Sequence, residues 1–185
     1  MPQRFSEYPR KERDDYPTPP LVTETVIPHL KALNVTSIWE PAAGQGEMAA
    51  ALANAGFTVT ATDLNSGVDF LDDKTWSQAV SRCNAIVTNP PYGQQGKLAV
   101  RFIERALDLM RPRRGAVAML LKVDFDSGLT RRRFFADCPA WMTKVVLLKR
   151  IQWFKSPTGN TSSDNHAWHL WSWRHDGPPR LVYGP

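Results

Sequence analysis

Asn89, Pro90, Pro91 and Tyr92 stand one residue after the apolar run Ala85-Ile86-Val87. Two successive prolines withhold two backbone donors and fix φ, so a strand that ends here becomes a rigid corner. At that corner Asn89 offers a side-chain carbonyl, Pro90 a main-chain carbonyl and Tyr92 a flat aromatic face. Two acceptors beside a ring suit a planar amine. The same residues also make an ordinary proline-rich turn, and it is the chemistry upstream that shifts the balance between the two readings.

Upstream, Glu40-Pro41-Ala42-Ala43-Gly44-Gln45-Gly46-Glu47 follows a predicted strand over 35–39 and precedes an Ala-rich helix predicted over 48–55. Strand, Gly-rich turn and helix open a nucleotide-binding βαβ unit: Gly44 and Gly46 let the backbone approach a ligand, and the helix N-terminus presents free N–H groups. No third glycine stands at dinucleotide spacing, so the turn alone is a weak signal. Asp63, just after a second predicted strand over 57–62, stands where such units carry a ribose-binding acid, and equally where a turn is capped. Asp69 beside Phe70 could hydrogen-bond and flank an adenine ring.

The elements that must position these residues follow from periodicity. A helix is predicted from Thr23 as its cap, with Val26, Ile27, Leu30 and Leu33 on one face despite Pro28. Asp72 and Asp73 read as the cap of a short helix over 74–81 with Trp76 and Val80 inward, and 97–110 is amphipathic with Leu98, Phe102, Ala106, Leu109 and Met110 as its stripe. A short helix over 129–138 would start with Arg131, Arg132 and Arg133, where cations are unfavourable on dipole grounds unless they face phosphate. Further strands are predicted over 83–88, 116–123, 144–150 and 167–173. This alternation gives an α/β domain with a largely parallel sheet and a reversed edge strand at its C-terminal end.

With 185 residues, the chain reads as a Pro-rich arm over 1–20 followed by one domain over 21–185, with no separate target-recognition domain. No 18-residue apolar run or signal segment is present, which predicts a cytoplasmic protein without membrane association. Cys83 and Cys138 have no metal-like spacing and read as small buried hydrophobes. His29, His166, His169 and His175 sit in no ligand pattern, so no metal is expected. The net charge of +5 is unevenly spread: fourteen of the 23 Lys and Arg residues fall within 97–155, against five of the 18 acids. That asymmetry favours a polyanionic partner, although solvated basic side chains are common on any surface.

Taken together, the Glu40–Gly46 turn, Asp63, Asp69-Phe70-Leu71 and Asn89-Pro90-Pro91-Tyr92 resemble the class I S-adenosylmethionine-dependent amino-methyltransferases, above all small phage and prophage members of the DNA adenine-N6 type. The resemblance covers roughly residues 16 to 175. It implies a Rossmann-like, seven-stranded, mostly parallel sheet with helices on both faces and one antiparallel strand, with the cofactor S-adenosyl-L-methionine over the carboxyl ends of the first strands. It further implies that Glu40, Pro41, Ala42, Gly44 and Gly46 face the methionine part, that Asp63 and Leu64 hold the ribose region, and that Asp69 and Phe70 hold the adenine. Tyr16, Thr18 and Pro19 would close over the cofactor carboxylate.

In the family's chemistry Asn89 and Pro90 accept the hydrogens of an exocyclic amine, with Pro91 keeping the corner stiff and Tyr92 stacking the target base. Trp153 or Phe154 would stack near an extruded base. Lys155, Arg131, Arg132 and Arg133, with Arg111, Arg113 and Arg114, are candidate phosphate contacts, each otherwise a solvated charge. The implied partner is nucleic acid, DNA before RNA; oligomeric state is left open. Two other readings share these residues: a protein glutamine-N5 methyltransferase, whose family also carries Asn-Pro-Pro-Tyr, and a non-catalytic nucleic-acid module that keeps the fold.

Overall fold

The computed structural model describes residues 16–74, 77–153 and 164–184. Residues 1–15 of the predicted arm, Trp76, Phe154 and Lys155 lie outside the described residues. Among those described, seven strands form one sheet: β1 (Ser37–Glu40), β2 (Thr58–Ala61), β3 (Ala85–Thr88), β4 (Ala116–Lys122), β5 (Trp141–Val146), β6 (His166–Ser172) and β7 (Arg180–Tyr183). They are ordered β2-β1-β3-β4-β6-β5-β7. The helices are α1 (Pro20–Glu24), α2 (Ile27–Ala32), α3 (Glu47–Asn54), α4 (Ser77–Ser81) and α5 (Lys97–Met110).

Strand periodicity divides the core into two layers. Ile38, Ala85, Val87, Ala118 and Leu120 pack with Leu30 of α2 and with Met48 and Leu52 of α3. The alternate residues Trp39, Ile86, Val117, Met119 and Leu121 pack with Val80 of α4 and with Phe102, Ile103, Ala106 and Met110 of α5. Each large buried side chain contributes about 1.5–3 kcal/mol of transfer free energy. Cys83 is buried in the second layer and Cys138 is half-buried.

The reversed strand is not at the edge. β6 runs antiparallel between β4 and β5, while β7, parallel to β5, forms the outer edge. All seven residues of β6 are buried, as befits a strand covered on both faces and paired on both sides. β7 has a mostly exposed pattern, which is why so little of its sequence marks it as a strand. The predicted first helix is two: Pro20 and Pro28 each occupy a first helical turn, where the missing N–H costs nothing. Thr23, expected as the cap, is buried inside α1. The segment Leu129–Phe134 is a 3-10 helix with its arginines in the last turn, so the dipole argument for phosphate does not apply there.

Register brings the carboxyl ends of the strands level. The Asn84 side-chain carbonyl accepts from the Thr36 and Ser37 amides at 3.2 Å each, tying the starts of β1 and β3 together. Glu40 then pairs with Ala61 of β2, and Trp39 with Ile86 of β3. Beyond β3 the corner is held by α5, whose Leu98 amide donates to the Tyr92 carbonyl at 3.1 Å. Gly93 must be glycine: its φ is +62°, and a Cβ would stand 2.8 Å from that of Leu98.

Candidate active site

A cavity of about 500 Å3 lies over the carboxyl ends of β1, β2 and β3. Its wall includes Tyr16, Thr18, Glu40, Pro41, Ala42, Gly44, Asp63, Leu64, Asp69, Phe70, Asn89 and Pro91. Residues from four separated stretches of sequence therefore meet at one edge of the sheet, the usual ligand position in open α/β folds. Among the described residues no group of three or more His, Cys, Asp or Glu side chains could hold a metal ion, and no helix is long and apolar enough to cross a membrane.

Glu40 ends β1 at 2% exposure, and its Oε2 is buried without a hydrogen-bond partner. Burial pushes its carboxyl up to about 8; the Ala49 amide opposes this and Asp63 adds to it. A buried acid with an unused oxygen on a cavity wall fits a cationic group. Asp63 has both oxygens engaged: Oδ2 accepts the Gly44 amide at 2.9 Å and Oδ1 the Asn65 amide at 2.8 Å. It caps the 3-10 turn Leu64–Ser66 and ties that turn to the glycine loop. The capping reading is thus realised, and the same carboxylate lines the cavity with acceptor capacity to spare.

Phe70 sits 2% exposed, edge-on to Trp39 at 5.1 Å and tilted against Phe102 at 4.8 Å. It is a core ring that contributes an edge of the wall, whereas Leu64, 61% exposed, is an apolar side chain at the rim. Asp69 accepts the Leu71 amide at 2.8 Å in an Asx-type turn. Gly46 does not line the cavity. Its φ of +85° starts α3, and a Cβ there would meet no protein atom within 4 Å, so among the protein's own atoms it is backbone conformation that calls for glycine. Pro19 also lies off the wall, its carbonyl taking the Val22 amide at 2.9 Å to start α1.

At the corner, Asn89 Nδ2 donates to Thr18 Oγ1 at 3.2 Å and to the Tyr16 carbonyl at 3.5 Å. The remaining polar atom of that amide is the acceptor Oδ1. Pro90 is buried and off the cavity wall. Tyr92 is half-buried, does not line the cavity, and has its hydroxyl fixed by the Lys122 amide at 2.7 Å. Burial, chiefly, holds this phenol above its usual pKa, so it stays neutral. Trp153 is half-buried between Tyr16, 5.7 Å away edge-on, and His166, 5.3 Å away edge-on. Burial drops His166 to about 4, so that ring is uncharged at neutral pH.

No protein-family model matches the sequence, and no curated protein does. Solved structures do. A Listeria monocytogenes protein assigned as a class I S-adenosylmethionine-dependent methyltransferase superposes with TM-score 0.63 at 14% identity, over 94% of this chain and 66% of its own. An assigned RNA methyltransferase from Pyrococcus horikoshii gives 0.59 at 14%, over 90% and 91%. The modification subunit of an assigned type I restriction enzyme from Vibrio vulnificus gives 0.57 at 15%, over 91% of this chain and 46% of that one. The chain thus spans just under two thirds of the first of these proteins and under half of the third. The fold is that of the class I methyltransferases.

Within this methyltransferase fold the basic residues separate by strand end. Arg111, Arg113 and Arg114 precede β4 at its amino end, about 13 Å of strand away from the corner. They face the wrong edge for a ligand at Asn89. Arg131, Arg132 and Arg133 follow β4 at its carboxyl end but have partners in the chain. Arg131 donates to the Phe125 carbonyl at 2.9 Å and lies over its ring; Arg132 pairs with Asp137 at 2.9 Å and Arg133 with Glu104 at 3.1 Å. The sequence reading missed Leu148, Lys149 and Arg150, placed inside a predicted strand. β5 ends at Val146, Leu148 is 66% exposed, and this basic step lies at the same end of the sheet as the corner. It also missed Leu98, Arg101 and Phe102 as wall residues. Leu98 and Phe102 belong to the α5 stripe, whose first turn borders the cavity as well as the core.

Proposed function

We propose that this chain is an S-adenosylmethionine-dependent methyltransferase acting on the exocyclic N6 amine of adenine in nucleic acid, DNA before RNA. The observation that carries the reading is a single cavity joining Glu40, the buried acid suited to a cation, to Asn89, whose amide is turned so that Oδ1 is its unengaged pole. Glu40, Asp63, Leu64 and Asp69 would hold the ammonium, ribose and adenine ends of the cofactor. When bound, it supplies an electrophilic methyl group on a cationic sulfur.

The chain's own residues then have defined tasks. Asn89 Oδ1 and the Pro90 carbonyl accept the two amine hydrogens, drawing the nitrogen lone pair out of conjugation and aiming it across the cavity mouth. Tyr92, held by Lys122, offers its ring face to the base. Its phenol remains protonated, and the amine becomes acidic only as the new bond forms, so no strong base is required beforehand. A duplex base must be extruded first, at a few kcal/mol. The basic step Lys149-Arg150, which shortly precedes Trp153 in the chain and whose Arg150 donates to the Asn165 side-chain carbonyl at 3.1 Å, supports a polyanionic acceptor, as does the likeness to a restriction-enzyme modification subunit.

Incubation with tritiated cofactor and, separately, double-stranded DNA, single-stranded DNA, RNA and a bacterial protein extract tests this. Label should enter DNA and be recovered as N6-methyladenine. Label in protein alone, or none anywhere with cofactor binding confirmed by calorimetry, would overturn the proposal.

A further inference from the structure

We infer that the strap of Tyr16 and Thr18 sets the orientation of the Asn89 amide, the Tyr16 carbonyl selecting it and Thr18 acting as the positioning residue that holds it, so that the oxygen rather than the nitrogen meets the acceptor amine. This rests on the amine-methylating reading of the corner, from which it takes the need for an acceptor. A primary amide is nearly symmetric in shape, and its two orientations differ only in which atom, a donor or an acceptor, sits on each side. With the wrong orientation an NH2 group would confront the NH2 of the substrate, and catalysis by aligned acceptors would be lost.

The strap before α1 resolves this ambiguity. The Tyr16 carbonyl only accepts, so the side of the amide facing it must be Nδ2, 3.5 Å away. The Thr18 hydroxyl can donate or accept and so does not make that choice; by accepting from Nδ2 at 3.2 Å it adds a second bond that holds the amide where the Tyr16 carbonyl has turned it. Both ends of this contact are stiff. Thr18 is 5% exposed between Pro17 and Pro19, and the strap continues into α1, whose Val22 carbonyl takes the Trp168 indole N–H of β6 at 3.0 Å. Asn89 precedes Pro90, which restricts its backbone. A lock built from rigid parts loses little to relaxation when one bond is removed.

The resemblance assigns Thr18 to the cofactor carboxylate, and the two roles give different results. Thr18→Val should lower kcat about tenfold, the effect of one lost net hydrogen bond, while cofactor Kd stays within about twofold, and Thr18→Ser should restore the rate. In an Asn89→Asp background, where either orientation presents an oxygen, Thr18→Val should cost less than about twofold more. A readout independent of turnover comes from nitrogen-15 spectra of the free protein: the Asn89 side-chain amide protons should exchange slowly with water and about tenfold faster in Thr18→Val. Equal loss of cofactor affinity and rate, a normal rate in Thr18→Val, or unprotected amide protons in the wild type would each overturn the lock. Protected protons that Thr18→Val releases, in a wild-type protein that labels no acceptor, would instead overturn the functional reading and leave the lock standing.

Discussion

The Lys122 amide donates to the Tyr92 hydroxyl at 2.7 Å, so the last residue of β4 fixes the ring of the corner that follows β3. Removing only the hydroxyl in Tyr92→Phe strands that amide and should cost about 1 kcal/mol in denaturant unfolding. The ring face survives, and label transfer should remain within a few fold of wild type. Tyr92→Ala removes the face itself and should lower transfer by more than about tenfold with cofactor Kd unchanged. Normal transfer by Tyr92→Ala would mean that the base is not held against this ring.

Glu40 makes stability and ligand uptake depend on pH. Burial raises its carboxyl from 4.5 to about 8, so between those values the folded chain holds a proton that the unfolded chain has lost. The stability contributed by the neutral carboxyl is complete below 4.5 and fades as pH rises through about 8. A cation beside Glu40 favours its ionised form, and cofactor binding at pH 7 should therefore release a proton. Calorimetry in buffers of different ionisation heat measures this release. Glu40→Gln should abolish it and flatten the stability slope; an unchanged proton count in that variant would assign the effect to another group.

Strand polarity divides the basic residues by the end of the sheet they occupy. Lys149 and Arg150 follow β5 at the carboxyl edge, whereas Arg113 and Arg114 precede β4 at the opposite one. Reversing charge in the first pair should weaken nucleic-acid binding and reduce its salt dependence by about two counterions. The Arg113→Glu, Arg114→Glu pair should leave both unchanged. Equal effects from the two pairs, measured by fluorescence titration across salt, would indicate a diffuse electrostatic contact rather than one at the corner.

What the sequence made legible was local and short in range. The run of acid, proline and glycines at Glu40–Gly46 and the two prolines after Asn89 impose their turns wherever they stand, and α5 announced itself through a complete apolar stripe. The position of β6 was not legible, because pairing between β4 and β5 depends on partners dozens of residues away and a fully buried strand carries no alternation to read. The core role of Phe70 was not legible for a related reason: it lines the cavity beside Asp69, yet Trp39 and Phe102 also enclose it from elements far apart in sequence. The bond from Asn89 to Thr18, across 71 residues, had no local signal at all.

Asp63 separates a cap from a strut. A cap for Leu64–Ser66 alone would tolerate asparagine, since Asn and Asp cap turns about equally well. Here, however, two backbone N–H donors approach the two oxygens of one carboxylate, Gly44 at Oδ2 and Asn65 at Oδ1. An amide has a single oxygen, so Asp63→Asn must set its NH2 against one of those donors, detaching either the glycine loop or the turn. Stability should fall by about 1 kcal/mol, and cofactor affinity should fall with it because Gly44 and Leu64 line the same cavity. If Asp63→Asn matched wild type in both urea midpoint and calorimetric Kd, the bond to Gly44 would be dispensable and Asp63 would be a cap only.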